Sequence, residues 1–127
     1  MHALKEKKDL LTQIKTRADF LTVQGGGKKW VSHGLILQTK PNDLGLKRIG
    51  FTVSKRVDKS AVKRNRIKRR LRAVAADILP AFAKGEQDYI LVGKAATATR
   101  PFDALCNDLC WCLRKLDLEA QSDENAG

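Results

Sequence analysis

A chain of 127 residues suits one domain with a modest core, and its apolar share of 43% is that of a chain that folds. With 25 Lys+Arg against 14 Asp+Glu it carries +11 at pH 7, which implies a polyanionic partner, because a basic surface gains affinity by releasing counterions from phosphates. No apolar run approaches the ~18–20 residues of a spanning helix, and the cluster Cys106, Cys110 and Cys112 is an odd set that excludes a secreted disulfide framework.

Residues 1–13 read as a charged arm with no clean period and no apolar signal region, so a cytoplasmic protein is expected. Thr16 suits the cap of a short helix over Arg17–Gln24, with Phe20, Leu21 and Val23 as its apolar side. Gly25–Gly27 breaks it. Lys28 and Lys29 follow these glycines, but the Walker spacing is absent, so the segment reads as a turn rather than a phosphate loop.

Trp30–Thr39 and Lys47–Ser54 alternate as strands do, and Pro41-Asn42-Asp43 between them predicts an antiparallel hairpin. Ser60 suits the cap of a long helix to about Ile78, whose buried stripe is Ile67, Leu71, Val74, Ala75 and Ile78. Pro80 is expected to end it. Tyr89–Val92 is short, apolar and β-rich, the pattern of a central strand. Pro101 suits the first turn of a last helix through about Leu116, with Leu105, Leu109, Leu113 and Leu116 on one face. Cys106 and Cys110 are one helical turn apart beside Leu109, as small core residues would be.

The order is helix, two or three strands, helix, strand, helix. This predicts an α+β fold, a small α/β sandwich over 14–118, with a disordered acidic tail at 119–127.

Charge is concentrated in one segment. Lys55–Arg72 holds ten cations and one anion, Asp58, and so nets +9 of the +11. On a wheel at 100° per residue, Asn65, Lys68, Arg69 and Arg72 lie on the side opposite the buried stripe, with Arg64 and Arg66 flanking. The stripe therefore aims a row of cations at solvent over roughly 12–15 Å, a spacing suited to successive phosphates. A merely solvated face would mix signs for i, i+4 pairs. Asn65 adds no charge but both donates and accepts, which suits a base edge, a 2′-OH or a metal-bound water.

The segment Gly50-Phe-Thr-Val-Ser-Lys-Arg-Val57 and the run Ala61-Val-Lys-Arg-Asn-Arg-Ile-Lys-Arg-Arg-Leu-Arg72 closely resemble the signature of the bacterial ribonuclease P protein component. Arg17-Ala-Asp-Phe20 looks like that family's first helix and Asp88-Tyr-Ile-Leu-Val92 like its central strand. The resemblance covers about residues 14–116. It implies a subunit that helps a catalytic RNA remove the 5′ leader of precursor tRNA, with Mg²⁺ bound mainly by the RNA and no catalytic residue in the protein. Its expected partners are that RNA and precursor tRNA, with no membrane. By motif match, RNA contact falls to Lys55, Arg56, Lys63, Arg64, Asn65, Arg66, Lys68, Arg69 and Arg72. The resemblance also implies a leader cleft between the first helix and the sheet, with Phe20, Leu35 and Leu37 as candidate lining, and a left-handed βαβ crossover, against the usual hand. Phe20 as plain core is the competing assignment, and Trp30 suits cleft or core equally. Gln24 and Gln38 stand where other members carry aromatic residues.

The main alternative is a ribosomal or other structural RNA-binding protein, which would share the basic helix without needing an aromatic-bearing cleft. A helix-turn-helix DNA binder needs a helix just before the basic one, where the pattern instead predicts a strand. A protein nuclease would need carboxylate or His ligands near the basic helix, and only Asp58 is close.

Overall fold

The computed structural model describes residues 12–14, 16–42, 44, 46–82 and 87–126, with backbone alone for 82 and 119–126. In chain order the elements are β1 (Thr12–Gln13), α1 (Arg17–Gly26), β2 (Lys28–Val31), β3 (Leu35–Pro41), β4 (Arg48–Thr52), α2 (Ala61–Phe82), β5 (Gln87–Gly93), a 3₁₀ turn (Ala95–Ala98) and α3 (Phe102–Ala126). Most of the expected arm, residues 1–11, lies outside the described residues. Its last two residues instead form β1, a short parallel edge strand beside Arg48 and Ile49.

The sheet runs β1-β4-β5-β3-β2. The expected hairpin between the second and third structured stretches is therefore overturned. β3 pairs with β2, and β5 lies between β3 and β4, antiparallel to the first and parallel to the second. The reason is burial. Tyr89, Ile90 and Leu91 are fully buried, and only a central position covers both faces of such a strand. The six residues 42–47 are long enough to step over one strand, since two strand spacings come to roughly 10 Å.

Helices cover both faces unequally. α2 and α3 pack against Leu35, Leu37, Ile49, Val53, Tyr89 and Leu91, through Ile67, Leu71, Val74 and Leu79 of α2 and Leu105, Leu109, Cys112 and Leu113 of α3. On the other face α1 sits over a cluster of only three fully buried residues, Ile14, Val23 and Ile90, flanked by Phe20 and Val92. The first cluster holds seventeen buried residues. At about 1.5–3 kcal/mol per buried apolar side chain, α1 is the weakly held layer.

Thr16 caps α1 as expected, its Oγ1 accepting from the Asp19 N–H at 3.2 Å. The helix absorbs Gly25 and Gly26 and stops at Gly27, whose N–H donates to the Val23 carbonyl at 2.8 Å. A Cβ on Gly27 would fall 2.7 Å from that carbonyl and closer still to Thr39's, so the chain turns there because only glycine fits.

Two helix ends run past their expected limits. Pro80 lies within the last turn of α2 rather than ending it; it removes only the bond to the Ala76 carbonyl, and both residues are exposed, where water replaces that bond. α3 continues through Ala126, across the segment expected to be a disordered tail. Leu-Asp-Leu-Glu-Ala-Gln contains no helix breaker, and glycine returns only at Gly127.

Candidate nucleic-acid interface

The basic helix begins in a loop held by its own residues. Asp58 Oδ1 accepts from the Ser60 N–H at 2.9 Å, and Ser60 Oγ accepts from the Lys63 N–H at 3.2 Å, the predicted cap. Arg64 Nη1 donates to the carbonyls of Asp58 and Lys59, both at 2.8 Å. Arg64 thus braces the loop while its guanidinium keeps other donors for a partner. Lys55 and Arg56 sit exposed in the turn after β4, and Lys63, Asn65, Arg66, Arg69 and Arg72 are exposed along α2. Arg70 is different. It turns inward and donates to the Ala98 carbonyl at 3.2 Å and to that of Arg100, pinning the 3₁₀ turn to α2.

Lys68 leads from this face into a cleft of about 350 Å³. Arg17, Phe20, Leu21 and Gln24 of α1 form one wall, Phe51 and Thr52 of β4 the floor, and Lys68 the opposite wall. Among the described residues the pairing of β1 with β4 stops at Ile49, short of Phe51, and the Arg72 guanidinium rests over the Phe51 ring at 5.6 Å from the centroid, a cation–π distance. Thr52 continues into a row across the sheet, because Thr52, Val92, Ile36 and Val31 are in register from β4 to β2. Val92 packs toward α1, which places the row on the cleft side, and Val31 is half exposed.

Phe20 takes both roles anticipated for it. Its ring lines the cleft and rests on Gly50, where a Cβ would come within 2.7 Å of Cζ. Leu35 and Leu37 do not line the cleft: both are fully buried against α2 and α3. The pleat alternates sides at every residue, so Ile36 and Gln38 face α1 instead. Trp30 is 9% exposed and belongs to the core. The expectation missed Arg17, Leu21, Phe51 and Thr52. The first two had a signal, since residues 17, 20, 21 and 24 form an i, i+3, i+4, i+7 stripe.

Beside the cleft, Arg48 joins α1 to the sheet. It grips Asp88 with two hydrogen bonds (Nε at 2.8 Å, Nη2 at 2.7 Å) and reaches Asp19 Oδ2 with Nη1 at 3.1 Å. The Thr16 hydroxyl and then Arg48 hold the Asp19 carboxyl below the usual carboxylate range. Asp88, in turn, strengthens the protonated form of Arg48. Cys112 is buried, while Cys106 and Cys110 pack against the core edge. Burial first, then the Asp77 carboxylate, pushes the Cys106 thiol up to about 11. Among the described residues no three His, Cys, Asp or Glu side chains gather to hold a metal ion.

An aromatic ring beside cations on two walls, with no carboxylate between, can stack a base and hold phosphates at once. A two-faced α+β sandwich with this cleft running into a cationic helix presents a surface suited to a polyanion. The family is narrower: residues 10–117 match the Ribonuclease P family model, and the chain belongs to that family. It is 44% identical over 111 residues to the ribonuclease P protein component of Paramagnetospirillum magneticum, covering 84% of this chain and 83% of the relative. It is 41% identical over 115 residues to that of Ruegeria pomeroyi, covering 84% and 86%. Its fold is similar to the solved Staphylococcus aureus RNase P protein (TM-score 0.69, 24% identity, 84% and 96% coverage). It is likewise similar to the Thermotoga maritima RNase P protein (TM-score 0.68, 20% identity, 81% and 96% coverage).

Proposed function

We propose that this chain is the protein subunit of ribonuclease P, acting with a catalytic RNA in removal of the 5′ leader from precursor tRNA. The observation that carries this reading is the continuity of cleft and basic helix, since Lys68 belongs to both and Arg72 covers Phe51. The exposed cations at Lys55, Arg56, Lys63, Arg66 and Arg69, with Asn65 among them, bind the catalytic RNA. The leader lies as a single strand over Phe20, Phe51 and the Thr52–Val31 row, its phosphates against Arg17 and Lys68.

This assigns the protein a binding role in the holoenzyme's endonucleolytic step. The leader is present in substrate and absent from mature tRNA, so a leader cleft favours precursor over product without touching the scissile bond. On this reading Mg²⁺ is bound mainly by the RNA, as the family resemblance implies, and the protein contributes binding and positioning. On this reading the subunit acts in the cytoplasm. Among the described residues no helix is long and apolar enough to cross a membrane.

The test is precursor-tRNA cleavage by the catalytic RNA at low Mg²⁺, with and without this protein. Stimulation that grows with leader length is expected. A protein that binds RNA but leaves cleavage unchanged would be a structural RNA-binding protein, and the reading would fail.

A further inference from the structure

The weak layer of this fold is the one that forms a wall of the cleft. α1 buries Val23 completely and Phe20 partly, and little else, yet Arg17, Phe20, Leu21 and Gln24 set where that wall stands. What holds the N-terminal end of α1 is polar. Asp19, in its first turn, reaches Arg48 at the start of β4, and Arg48 is held by Asp88 of β5.

The network is asymmetric. Arg48 and Asp88 are register partners on adjacent parallel strands, so their paired hydrogen bonds belong to the sheet and form whether or not α1 is docked. Asp88 Oδ1 also accepts from Asn42 Nδ2 at 2.7 Å, and Asn42 donates to the Leu46 carbonyl at 3.2 Å, which ties Asn42 and Leu46 to the same carboxylate. The Arg48 side chain is 16% exposed and that of Asp88 7%, whereas that of Asp19 is 39% exposed. A cation held by the sheet therefore presents its third nitrogen to the weakly packed helix. The Asp19–Arg48 contact is a polar tie between α1 and the sheet beside the cleft.

We propose that Asp19 and Arg48 are positioning residues that clamp α1 at the spacing needed to grip the leader, acting through Phe20 and Arg17 rather than by touching RNA. The proposal rests on the leader cleft assigned above. Neither residue lines the cleft, and a carboxylate facing it would repel phosphate. A competing role for Asp19 is simply to stabilise a helix N-terminus by its charge. That role would be indifferent to Arg48, whereas the clamp needs both.

The test uses reconstituted holoenzyme and three substrates: precursor with a leader long enough to cross the cleft, precursor with a short leader, and mature tRNA as inhibitor. Loss of one part-exposed ion pair is a small effect, so Asp19→Asn and Arg48→Lys should each raise KM for the long-leader precursor about two- to fivefold. Saturating kcat, KM for the short-leader precursor and affinity for the catalytic RNA should stay at wild-type values. Asp19→Glu, which keeps the charge and can still reach Arg48, should recover part of the loss. Asp19 is part-exposed, so Asp19→Asn remains a fair test even if Arg48→Lys proves unstable. An equal loss on all substrates, no loss on any, or an effect of Asp19→Asn with none of a folded Arg48→Lys would overturn the clamp. If the wild-type holoenzyme does not itself prefer the long leader, the cleft assignment falls first and the clamp with it.

Discussion

Two adjacent arginines on α2 should behave as opposites. Arg69 is exposed, while Arg70 turns inward to two backbone carbonyls, Ala98 O at 3.2 Å and Arg100 O. A hydrogen bond from a charged donor is worth about 1.5–3 kcal/mol, and the longer bond lies at the low end. Because the two bonds share one guanidinium and are not additive, Arg70→Ala should cost about 2–4 kcal/mol. For a domain of this size that lowers Tm by roughly 6–15 °C. Arg69→Ala should leave stability within about 0.5 kcal/mol. It should instead reduce the slope of log affinity against log salt for the catalytic RNA by about 0.7–0.9, the signature of one lost phosphate contact. Thermal melts and anisotropy titrations across a KCl series read both quantities on the same variants. If Arg70→Ala melted like wild type and flattened the salt dependence as Arg69→Ala does, the division of α2 into a binding face and a structural cation would be wrong.

Gly50→Ala places a Cβ 2.7 Å from Phe20 Cζ and 2.8 Å from Cε1. The ring must move, at about 1–3 kcal/mol, and long-leader precursor should bind less well; an unchanged melt would show the contact to be looser than described. Leu37→Ala, at a fully buried position, should cost about 2–5 kcal/mol with equal effects on all substrates. Ile36→Ala, one residue earlier and facing the cleft side, should cost less stability and show the leader-dependent loss. The opposite ranking would restore Leu37 to the cleft. For Cys106, with its thiol near 11, alkylation by iodoacetamide should rise about tenfold per pH unit from pH 8 to pH 10. Asp77→Asn should accelerate it, and a plateau near pH 9 would exclude the shift. The folded state then keeps a proton that the unfolded chain releases near 9, so stability should decline as pH rises from about 9 to about 11.

The elements, the basic face and the family were legible in the chain because each depends on neighbours in sequence. Helical spacing placed Ile67, Leu71, Val74 and Ile78 on one stripe and therefore Arg69 opposite it. Thr16 and Ser60 capped their helices because a hydroxyl three residues from an amide needs no tertiary partner. Boundaries were harder. Pro80 inside α2 and the length of α3 depend on whether freed carbonyls face water, which local pattern does not state.

The cleft was legible only as an expectation from resemblance, and two of its three candidate lining residues, Leu35 and Leu37, lie in the core instead. Alternation assigns Leu35 and Leu37 to one face but cannot say which face is the core, and that is decided by where α2 and α3 pack. The same holds for β5. The apolar run Tyr89–Val92 announced a central strand, but nothing local named β3 and β4 as its neighbours, which the tertiary packing decides. Arg70 and Arg69 are indistinguishable as sequence, both cations in a run of cations, until the 3₁₀ turn brings two carbonyls under one of them. Sequence by itself determined the charge and the helices, since those follow from composition and period. The tertiary structure alone decided which side chains meet across the sheet, and so which cations face a partner and which hold the fold together.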